Sequence, residues 1–304
     1  MFDRSAACRL AVATSDKLPA FQPDDLGLAA ALEGLDVAST ICVWSDAQVD
    51  WSAFDAVLIR TVWDYYKHHA AFLDWLDRLD RIGVPTINDS ALLSWNSDKR
   101  YLLELAEQGV SIVPTRLASH VELAAVLATM PARQLVVKPS VSGGAWHTLR
   151  GTAGDAAFDT AVKHLPSQHD YLVQEFVPEI ISEGEWSLLY FDGRFSHAVI
   201  KRPADGDFRV QDEFGGSIEP AQPSVGMLAG AAQALAAVAR IGHRDPTYVR
   251  VDGVNCGDRF LIMELEMIEP FLFLGTSTNA AARLAQAVAK RLHQLGPSVE
   301  RSAR

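Results

Sequence analysis

Short apolar strands alternate with amphipathic helical segments through the first part of the chain. Two segments carry apolar residues at helical spacing, residues 24–35 and 68–82. Four short apolar runs around them are predicted as strands: residues 9–14, 39–44, 56–60 and 84–87. Strands separated by helices of this length favour parallel pairing, because a parallel connection must cross back over the sheet. The pattern predicts a parallel α/β sheet.

The pattern changes to longer strands with hairpin signals in the second half. Residues 186–191 and 195–201 flank Asp192-Gly193, a dipeptide typical of a two-residue hairpin turn. A second hairpin is predicted over residues 248–268, and a helix over 280–295. The predicted fold class is therefore α/β followed by α+β. We divide the chain into an α/β domain (residues 1–97), a small α+β domain (98–174) and a larger α+β domain (175–304).

Composition restricts the class of partner. The 304 residues carry a net charge of −11, which argues against nucleic acid or an anionic membrane as the main partner. Three widely spaced cysteines suit reduced thiols in the cytoplasm. The start of the chain is read as a first strand, without a signal peptide's long uncharged segment. Residues 220–239 carry no charge, but their alanine-rich composition is too weakly hydrophobic for a membrane span.

The familiar nucleotide-binding motifs are missing from the sequence. A Walker A loop is excluded because no Gly-Lys dipeptide occurs, and no Gly-x-Gly-x-x-Gly turn follows the first strand. A protein of this sequence that binds ATP must hold the phosphates in another way.

Two lysines lie at positions where an anionic ligand would explain them. Lys99 is at the start of a predicted helix, where a cation opposes the helix dipole unless an anion binds nearby. Lys138 ends an apolar strand and is followed by a loop rich in small residues, with Ser142, Gly143 and Gly144. Such a loop can wrap phosphate oxygens closely. Each lysine taken alone is equally compatible with a solvated surface position.

A predicted strand at residues 171–176 runs into a polar link. Gln174, Glu175, Phe176 and Val177 end this strand, so their backbone groups are candidates for contact with an adenine edge. Glu185 follows, and its carboxylate is a candidate for a ribose hydroxyl. Without other features, this segment is an ordinary strand and turn.

The most specific pattern is a pair of strands with alternating charged residues. Residues two apart on a strand share a face, so Arg250 lies beside Asp252, and Glu264 beside Glu266. An odd-length loop around residues 255–259 would bring the two charged faces together. On a solvated hairpin this grouping of like charges would be mildly destabilising. As a site, three carboxylates suit one or two Mg²⁺ ions, and Arg250 would neutralise a transferring phosphoryl group.

Taken in order, these residues resemble the ATP-grasp superfamily over about residues 88–273. The resemblance implies an ATP- and Mg²⁺-dependent ligase, with Mn²⁺ as an alternative ion, in which residues 98–174 form a lid over the nucleotide. It implies phosphate contacts from Lys99 and Lys138, and adenine and ribose contacts from residues 174–177 and Glu185. Asp252, Glu264 and Glu266 match the metal ligands. Many members have Asn at the position of Glu266, so this chain would carry more negative charge there.

Within that superfamily the chain resembles the cyclo-ligase type that closes O-ureido-D-serine into cycloserine. The similar segments are residues 59–65, 208–211 with Gly215-Gly216, and 268–274. The resemblance implies that a carboxylate becomes an acyl phosphate and is then attacked by a nitrogen, which in this type belongs to the same molecule.

Cationic and aromatic residues outside the nucleotide pattern are candidates for the substrate. Arg60, Trp63 and Asp64 follow a strand end, where open α/β sheets bind ligands, and Arg60 suits a carboxylate. Lys201 and Arg209, in a glycine-containing segment between residues 201 and 216, suit a mobile lid over phosphate or substrate. His197 receives no role.

Three alternative functions remain open at this stage. An intermolecular carboxylate–amine ligase would need a second, amine substrate. A regulatory ATP-binding module would be expected to lack the metal carboxylates, and a solute-binding protein would need neither lysine. A homodimer is common among relatives.

Overall fold

The computed structural model describes residues 8–130, 134–204 and 215–296. Within these ranges the strands form three sheets, one parallel and two antiparallel. Arg209 and most of the predicted lid segment lie outside the described residues.

The first sheet confirms the predicted parallel α/β arrangement. Its strands are β1 (Cys8–Thr14), β2 (Val37–Val43), β3 (Ala56–Thr61) and β4 (Thr86–Ile87), in the order β2-β1-β3-β4. Helix α1 (Leu26–Glu33) connects β1 to β2, and α2 (His69–Arg81) connects β3 to β4. The two helices cover opposite faces, because alternate residues of β1 and β3 pack with different apolar clusters.

The second sheet is antiparallel and follows two short helices, α3 (Ser90–Asn96) and α4 (Tyr101–Glu107). Its strands are β5 (Thr115–Ser119), β6 (Leu135–Pro139), β7 (Leu149–Gly151) and β8 (Asp170–Glu175), in the order β5-β8-β6-β7. Helices α5 (Leu123–Thr129) and α6 (Ala156–Lys163) pack against it. Helix α6 begins where the Asp155 side chain accepts hydrogen bonds from the backbone of Ala157 and Phe158.

The third sheet is antiparallel and contains both predicted hairpins. Its strands are β9 (Glu185–Phe191), β10 (Arg194–Arg202), β11 (Ser217–Pro220), β12 (Tyr248–Cys256) and β13 (Arg259–Glu266), in the order β11-β10-β9-β12-β13. Three helices accompany it: α7 (Glu179–Ser182), α8 (Val225–Ile241) and α9 (Ala280–Leu295). Asp192 and Gly193 both have positive φ, as a two-residue turn between β9 and β10 requires.

The loop of the second hairpin differs from its prediction. The turn is only Gly257-Asp258, an even number of residues, which alone would put the two charged faces on opposite sides. A β-bulge directly after Asp252 adds one residue on β13 and restores the register. The resulting pairs are Arg250 with Glu266 and Asp252 with Glu264. The charged faces therefore coincide, through a bulge rather than an odd-length loop.

Helix α8 contains most of the uncharged stretch and buries one alanine-rich face. Ala231, Ala234, Ala237 and Val238 are fully buried against the third sheet. It ends at Gly242, whose φ of 112° is the left-handed conformation common after a helix. Within the described residues, no helix combines the length and apolar character needed to cross a lipid bilayer.

The first and third sheets share a core, whereas most buried residues of the second sheet form a core of their own. Leu172 of β8 packs with the third sheet. One apolar cluster contains Leu10 and Leu58 of the first sheet, Leu189 and Val199 of the third, and residues of α9 such as Leu284. A separate cluster joins α5 and α6 to the second sheet. Helix α4, placed in the small domain by the sequence, packs with the third sheet. The domain limits at residues 97 and 174 stay a prediction.

Residues 267–273, here called the strap, leave β13 without helix or strand structure. They run between the first and third sheets. Leu272 is buried in the cluster shared by the first and third sheets, and Ile268 is buried in the cluster between α2 and the first sheet. Other strap residues face a cavity described below.

Candidate active site

A cavity of about 610 Å³ lies between the second and third sheets, with one wall formed by the strap and by residues after β3. Most residues singled out from the sequence line it. They are Trp63, Lys99, Lys138, Ser142, Gly143, Gly144, Gln174, Glu175, Phe176, Val177, Glu185, Lys201, Arg250, Asp252, Glu264 and Glu266. The structure thus brings together residues far apart in sequence, from all three sheets.

Lys138 lines the cavity and forms no ion pair with any described residue. It extends from the second last position of β6 between two buried apolar neighbours, Val137 and Pro139. Burial lowers the pKa of Lys138, and the nearby Lys99 ammonium lowers it further, against the opposing effect of Glu264. A negatively charged ligand would relieve this unfavourable position.

Lys99 connects the loop after β6 to the third sheet. Its side chain is 7% exposed, and its ammonium forms an ion pair with Glu264 at 3.0 Å and donates to the carbonyl of Ser142. Burial alone would lower the pKa of Lys99, but the Glu264 carboxylate outweighs it and raises the pKa above its usual value. A buried cation with two partners is consistent with a fixed positive charge in the cavity.

The loop after β6 lies against the first sheet's side of the cavity. A Cβ atom at Gly143 would lie 2.9 Å from the ring of Tyr66, closer than real contacts allow, so glycine is needed for this approach. Gly144 and Ala145 both have positive φ. The Ser142 hydroxyl donates to the carbonyl of Pro139 at 2.9 Å. The loop therefore exposes its backbone to the cavity.

Residues 174–177 lie at the end of β8, where the chain passes from the second sheet towards the third. The side-chain amide of Gln174 donates to the hydroxyl of Thr115 at 2.9 Å. The guanidinium of Arg150 lies over Phe176, 3.7 Å from the centroid of the phenyl ring. The backbone N–H groups of Glu175 and Phe176 donate to Pro114 and Gln134. This ordered edge of the cavity suits the flat ring of a base.

Asp252 is the carboxylate of the site with the most hydrogen-bond and ion-pair partners. It accepts hydrogen bonds from the hydroxyl of Ser187 at 2.6 Å and from Arg250 at 2.8 Å, and Lys201 lies 3.5 Å away. Burial by itself raises the pKa of Asp252, but the Arg250 and Lys201 cations outweigh it and lower the pKa to about 2. Asp252 is therefore ionised at every physiological pH.

Glu266 has less compensation than Asp252. It forms an ion pair with Arg250, yet burial and the neighbouring Asp252 and Glu264 carboxylates raise its pKa to about 7. The cluster thus holds more negative charge than its cations balance.

The carboxylate cluster has the donor chemistry of a Mg²⁺ site. Among the described residues no three His, Cys, Asp or Glu side chains are grouped closely enough to hold a metal, because the carboxylates are turned towards Arg250, Lys201 and Lys99. Asp252, Glu264 and Glu266 nevertheless line one cavity, carry hard oxygen ligands and repel one another. These residues fit a divalent cation.

Glu185 and Lys201 form a buried pair on neighbouring strands, with 2.5 Å between carboxylate and ammonium. Lys201 also faces Asp252, and these two carboxylates raise the pKa of Lys201 despite its burial, which acts in the opposite direction. Its charge is therefore fixed beside the carboxylate cluster.

Two of the candidate substrate residues are not at the cavity. Arg60 is 3% exposed, and its guanidinium is occupied by both oxygens of Asp25, at 3.0 and 3.1 Å, and by the carbonyl of Pro270. Arg60 is not among the residues that line the cavity, so the expected direct contact with a substrate carboxylate is not supported. Asp64 accepts a hydrogen bond from the indole of Trp44 at 2.9 Å and is likewise not part of the cavity wall.

The cavity wall also contains residues that the sequence reading did not select. Glu269, Phe271 and Phe273 come from the strap, and Tyr66 comes from the segment after β3. The strap has neither strand nor helix periodicity, so its sequence does not show which side chains face a ligand. The only sequence feature that could have drawn attention to Glu269, Phe271 and Phe273 is the family resemblance over residues 268–274.

The arrangement can bind and stabilise negative charge at several points. The cations Lys99, Lys138, Lys201 and Arg250 line the same cavity as a carboxylate cluster suited to a divalent ion. Such a site aligns reactants and stabilises transferring charge without requiring a protein nucleophile.

Comparison with known proteins gives a consistent result. Residues 10–88 match the family described as D-cycloserine synthetase DcsG, N-terminal domain. The chain is 34% identical over 276 residues to the cycloserine biosynthesis protein DcsG of Streptomyces lavendulae, covering 86% of this chain and 91% of that protein.

Solved structures extend this similarity to three dimensions. The crystal structure of D-cycloserine synthetase DcsG superposes with a TM-score of 0.83 at 32% identity, covering 93% of this chain and 99% of the other. A RimK domain ATP-grasp protein from Sphaerobacter thermophilus has a TM-score of 0.67 at 17% identity, covering 92% and 99%. The second similarity concerns the fold alone.

Proposed function

The chain belongs to the DcsG family of ATP-grasp ligases, which form C–N bonds, and we propose that it catalyses an ATP-dependent cyclisation. In this reaction the γ-phosphoryl group of ATP passes to a substrate carboxylate, giving an acyl phosphate and ADP. A nitrogen of the same molecule then attacks the acyl carbon and releases inorganic phosphate. O-ureido-D-serine is the substrate class we infer from the similarity to the cycloserine biosynthesis protein.

One observation carries the proposal. Lys99, Lys138 and the carboxylates Asp252, Glu264 and Glu266 line a single cavity, in a chain that covers nearly the whole of DcsG. Phosphates and carboxylates are both anions, and a site that brings two anionic reactants together must supply several cations.

Residues of the second and third sheets both contact the nucleotide in this proposal. Lys138 and the loop with Ser142, Gly143 and Gly144 hold phosphate oxygens from the second sheet, and Lys99 supports them from the side. Residues 174–177 and Glu185 hold the base and ribose. This assignment is supported by the Lys138 ammonium, which has no ion pair within the described part of the chain, and by the loop residues that line the cavity.

The third sheet supplies the charge at the reacting end. Asp252, Glu264 and Glu266 would hold Mg²⁺, with Mn²⁺ as an alternative, and a bound divalent ion offsets phosphate charge and orients the phosphoryl group. Arg250 and Lys201 neutralise charge that develops on the transferring group. We infer the same role for Arg209. Residues 98–174 act as the nucleotide lid.

The first test is ADP release by the purified protein with Mg-ATP and O-ureido-D-serine alone. Release without an added amine supports cyclisation. If ADP appears only with a separate amine present, the protein is an intermolecular ligase of the glutathione synthetase type. Silence with the ureido substrate and with a panel of carboxylates and amines would contradict the proposed activity.

The metal-site assignment is tested by neutralising its carboxylates. Asp252→Asn and Glu264→Gln should abolish ADP formation, because each removes an oxygen ligand of full negative charge from the Mg²⁺ site. Thermal unfolding and circular dichroism check that both variants remain folded. The matched control is Asp258→Asn, an exposed residue in the turn of the same hairpin, which should retain wild-type rates. Full activity in both test variants would contradict the metal site.

Three further expectations belong to this proposal. A homodimer and a cytoplasmic location remain predictions, and analytical ultracentrifugation would test the homodimer. Substituting Mn²⁺ for Mg²⁺ in the ADP assay should preserve activity, since both ions accept octahedral oxygen coordination.

A further inference from the structure

The strap is held in place by its backbone carbonyls. All seven, from Met267 to Phe273, accept hydrogen bonds from side chains of other segments. In chain order the donors are Asn88, Tyr248, Trp63, Arg60, Arg250, His197 and again His197, at distances between 2.8 and 3.2 Å. Tyr248 shares its one hydroxyl proton with the carbonyl of Ile59, and His197 shares one ring N–H between two strap carbonyls. A segment without regular structure is thus held by side-chain donors along its whole length.

This fixation presents alternate strap side chains to the cavity. Glu269, Phe271 and Phe273 line the cavity, whereas Ile268 and Leu272 are buried in the core. The carbonyl of Glu269 accepts from the indole of Trp63 at 2.9 Å, and the next carbonyl accepts from the buried Arg60. The position of Glu269 is therefore determined before any ligand binds.

Glu269 differs in its pairing from the cavity carboxylates of the third sheet. Asp252, Glu185, Glu264 and Glu266 each form an ion pair with a lysine or arginine of the site. Glu269 forms no ion pair with any residue that the structure describes. Burial, with the nearby Glu266 carboxylate, raises the pKa of Glu269 to about 8, and the more distant Lys99 only partly offsets this. A ligand cation beside Glu269 would remove the imbalance.

Aromatic side chains line the same cavity as Glu269. The rings of Trp63 and Phe271 have centroids 6.4 Å apart, and Phe273 follows at 4.9 Å from Phe271. Aromatic faces attract organic cations, more strongly where water is excluded. A carboxylate that shares a cavity with such faces suits an ammonium group carried on a small apolar carbon skeleton better than it suits a hydrated metal ion.

Two ionisable groups on different walls of the cavity therefore have no ion-pair partner among the described residues. They are Lys138, on the second sheet, and Glu269, on the strap. A substrate lying between them would turn an anionic part towards the phosphate end and a cationic part towards the strap.

We propose that Glu269, with Trp63 and Phe271, forms a subsite that binds the ammonium group of the acid substrate and so selects amino acids. The proposal rests on the proposed function, because it names a feature of the acid that this ligase activates. The ion pair keeps the amine protonated, so that its nitrogen has no lone pair to attack the acyl phosphate. The subsite thus favours attack by the intended nitrogen as well as binding.

The test compares amino acids with their desamino analogues, in the wild type and in Glu269→Gln. Binding of O-ureido-D-serine and of 3-(ureidooxy)propanoic acid is measured calorimetrically in the presence of Mg²⁺ and a non-hydrolysable ATP analogue. Loss of a charge-assisted contact should weaken binding of the amino form about 10- to 100-fold and leave the desamino form within about twofold. The affinity for the ATP analogue should not change. Glu107→Gln, an exposed helical residue, serves as the control.

The outcomes separate this subsite from the proposed reaction. The calorimetric preference for the amino form does not depend on turnover, so it is tested even if no ADP is released. If the ureido acid does not bind, serine and 3-hydroxypropanoic acid form the next matched pair. A wild type that does not prefer the amino form overturns the proposal. So does a Glu269→Gln variant that weakens both forms equally, or that weakens the ATP analogue, since Glu269 would then act on the metal or nucleotide.

Discussion

Lys138 illustrates how a single residue can be unfavourable for the folded protein and useful to the site. Its pKa is lowered by burial and by Lys99, so the charged form is less stable here than in water. No described residue supplies an ion pair in compensation. This is the signature expected of a group positioned for a ligand rather than for the fold.

Lys138→Met should therefore weaken nucleotide binding without destabilising the protein. Removing a charged phosphate contact is expected to weaken ATP binding at least about tenfold, while the free energy of unfolding stays within about 0.5 kcal/mol of the wild type or rises. Calorimetric titration with Mg-ATP and urea unfolding measure the two quantities. Lys290→Met is the control, because Lys290 pairs with Asp192 on the surface and lies far from the cavity. Unchanged ATP affinity in Lys138→Met would contradict its assigned role.

The most specific site prediction from sequence concerns residues on regular strands. Alternation along β12 and β13 identified Arg250, Asp252, Glu264 and Glu266 as one face, and the structure places all four at the cavity. Glu269 lies three residues beyond the last of them and was missed. Its orientation depends on hydrogen bonds from segments distant in sequence, and these leave no periodic pattern in the strap itself.

At the scale of elements, Arg60 shows how a site residue can act from outside the cavity. It is the second last residue of β3 in the first sheet, near the strand end where an open α/β sheet would place a ligand-binding residue. Its guanidinium instead joins Asp25 to the strap. The strand could be predicted from sequence, but the two partners of Arg60 could not. Asp25 directly precedes α1, and Pro270 lies in the strap that follows β13 of the third sheet, so both are distant in sequence from Arg60.

Arg60→Met should cost about 3–5 kcal/mol of unfolding free energy, because the buried Asp25 carboxylate loses its counterion. Urea unfolding monitored by tryptophan fluorescence gives the value. The double variant Asp25→Asn with Arg60→Met should recover part of the loss, since no unpaired charge is then buried.

The control for this prediction is Arg202→Met. Arg202 pairs with Glu219 in an exposed bridge at 3.1 Å, which is expected to contribute under about 1 kcal/mol. A loss in Arg60→Met no larger than in the control would show that the pair does not anchor the strap.

The second hairpin shows the limit of sequence reading for a whole element. The coincidence of its charged faces was predicted, but the bulge after Asp252 that produces it was not. A Cβ atom at Gly253 would lie 2.7 Å from the carbonyl of Leu261, so glycine permits the close approach at the bulge. A glycine within a strand is a general sign of a bulge. It does not give the side of the ladder on which the extra residue lies.

At the scale of the whole molecule, segments that are far apart in the chain pack against one another. Helix α9 and the strap end the described chain, yet they pack with the first sheet as well as the third. Local periodicity predicts α9 well, but it contains no information on which distant sheet receives its apolar face. The sequence division at residues 97 and 174 follows changes in pattern, and those changes do not report such long-range packing.

The distribution of cores predicts two units of cooperative unfolding. Leu28 belongs to the cluster shared by the first and third sheets, and Leu135 belongs to the separate cluster of the second sheet; both are fully buried. Replacing either by alanine should cost about 2–5 kcal/mol locally. Leu28→Ala should therefore raise amide hydrogen exchange in β1–β3 and in β9 and β10 together. Leu135→Ala should raise it only in β5–β8.

Hydrogen exchange measured by mass spectrometry compares the two variants directly, since each loses the same side-chain atoms from a fully buried site. Faster exchange in all three sheets of Leu135→Ala would contradict an independent core in the second sheet. Faster exchange of Leu28→Ala in the first sheet alone would contradict the shared core. The expected pattern has a functional consequence: the second sheet can open over bound nucleotide while the strap, fixed between the other two, keeps Glu269 and the carboxylate cluster in place.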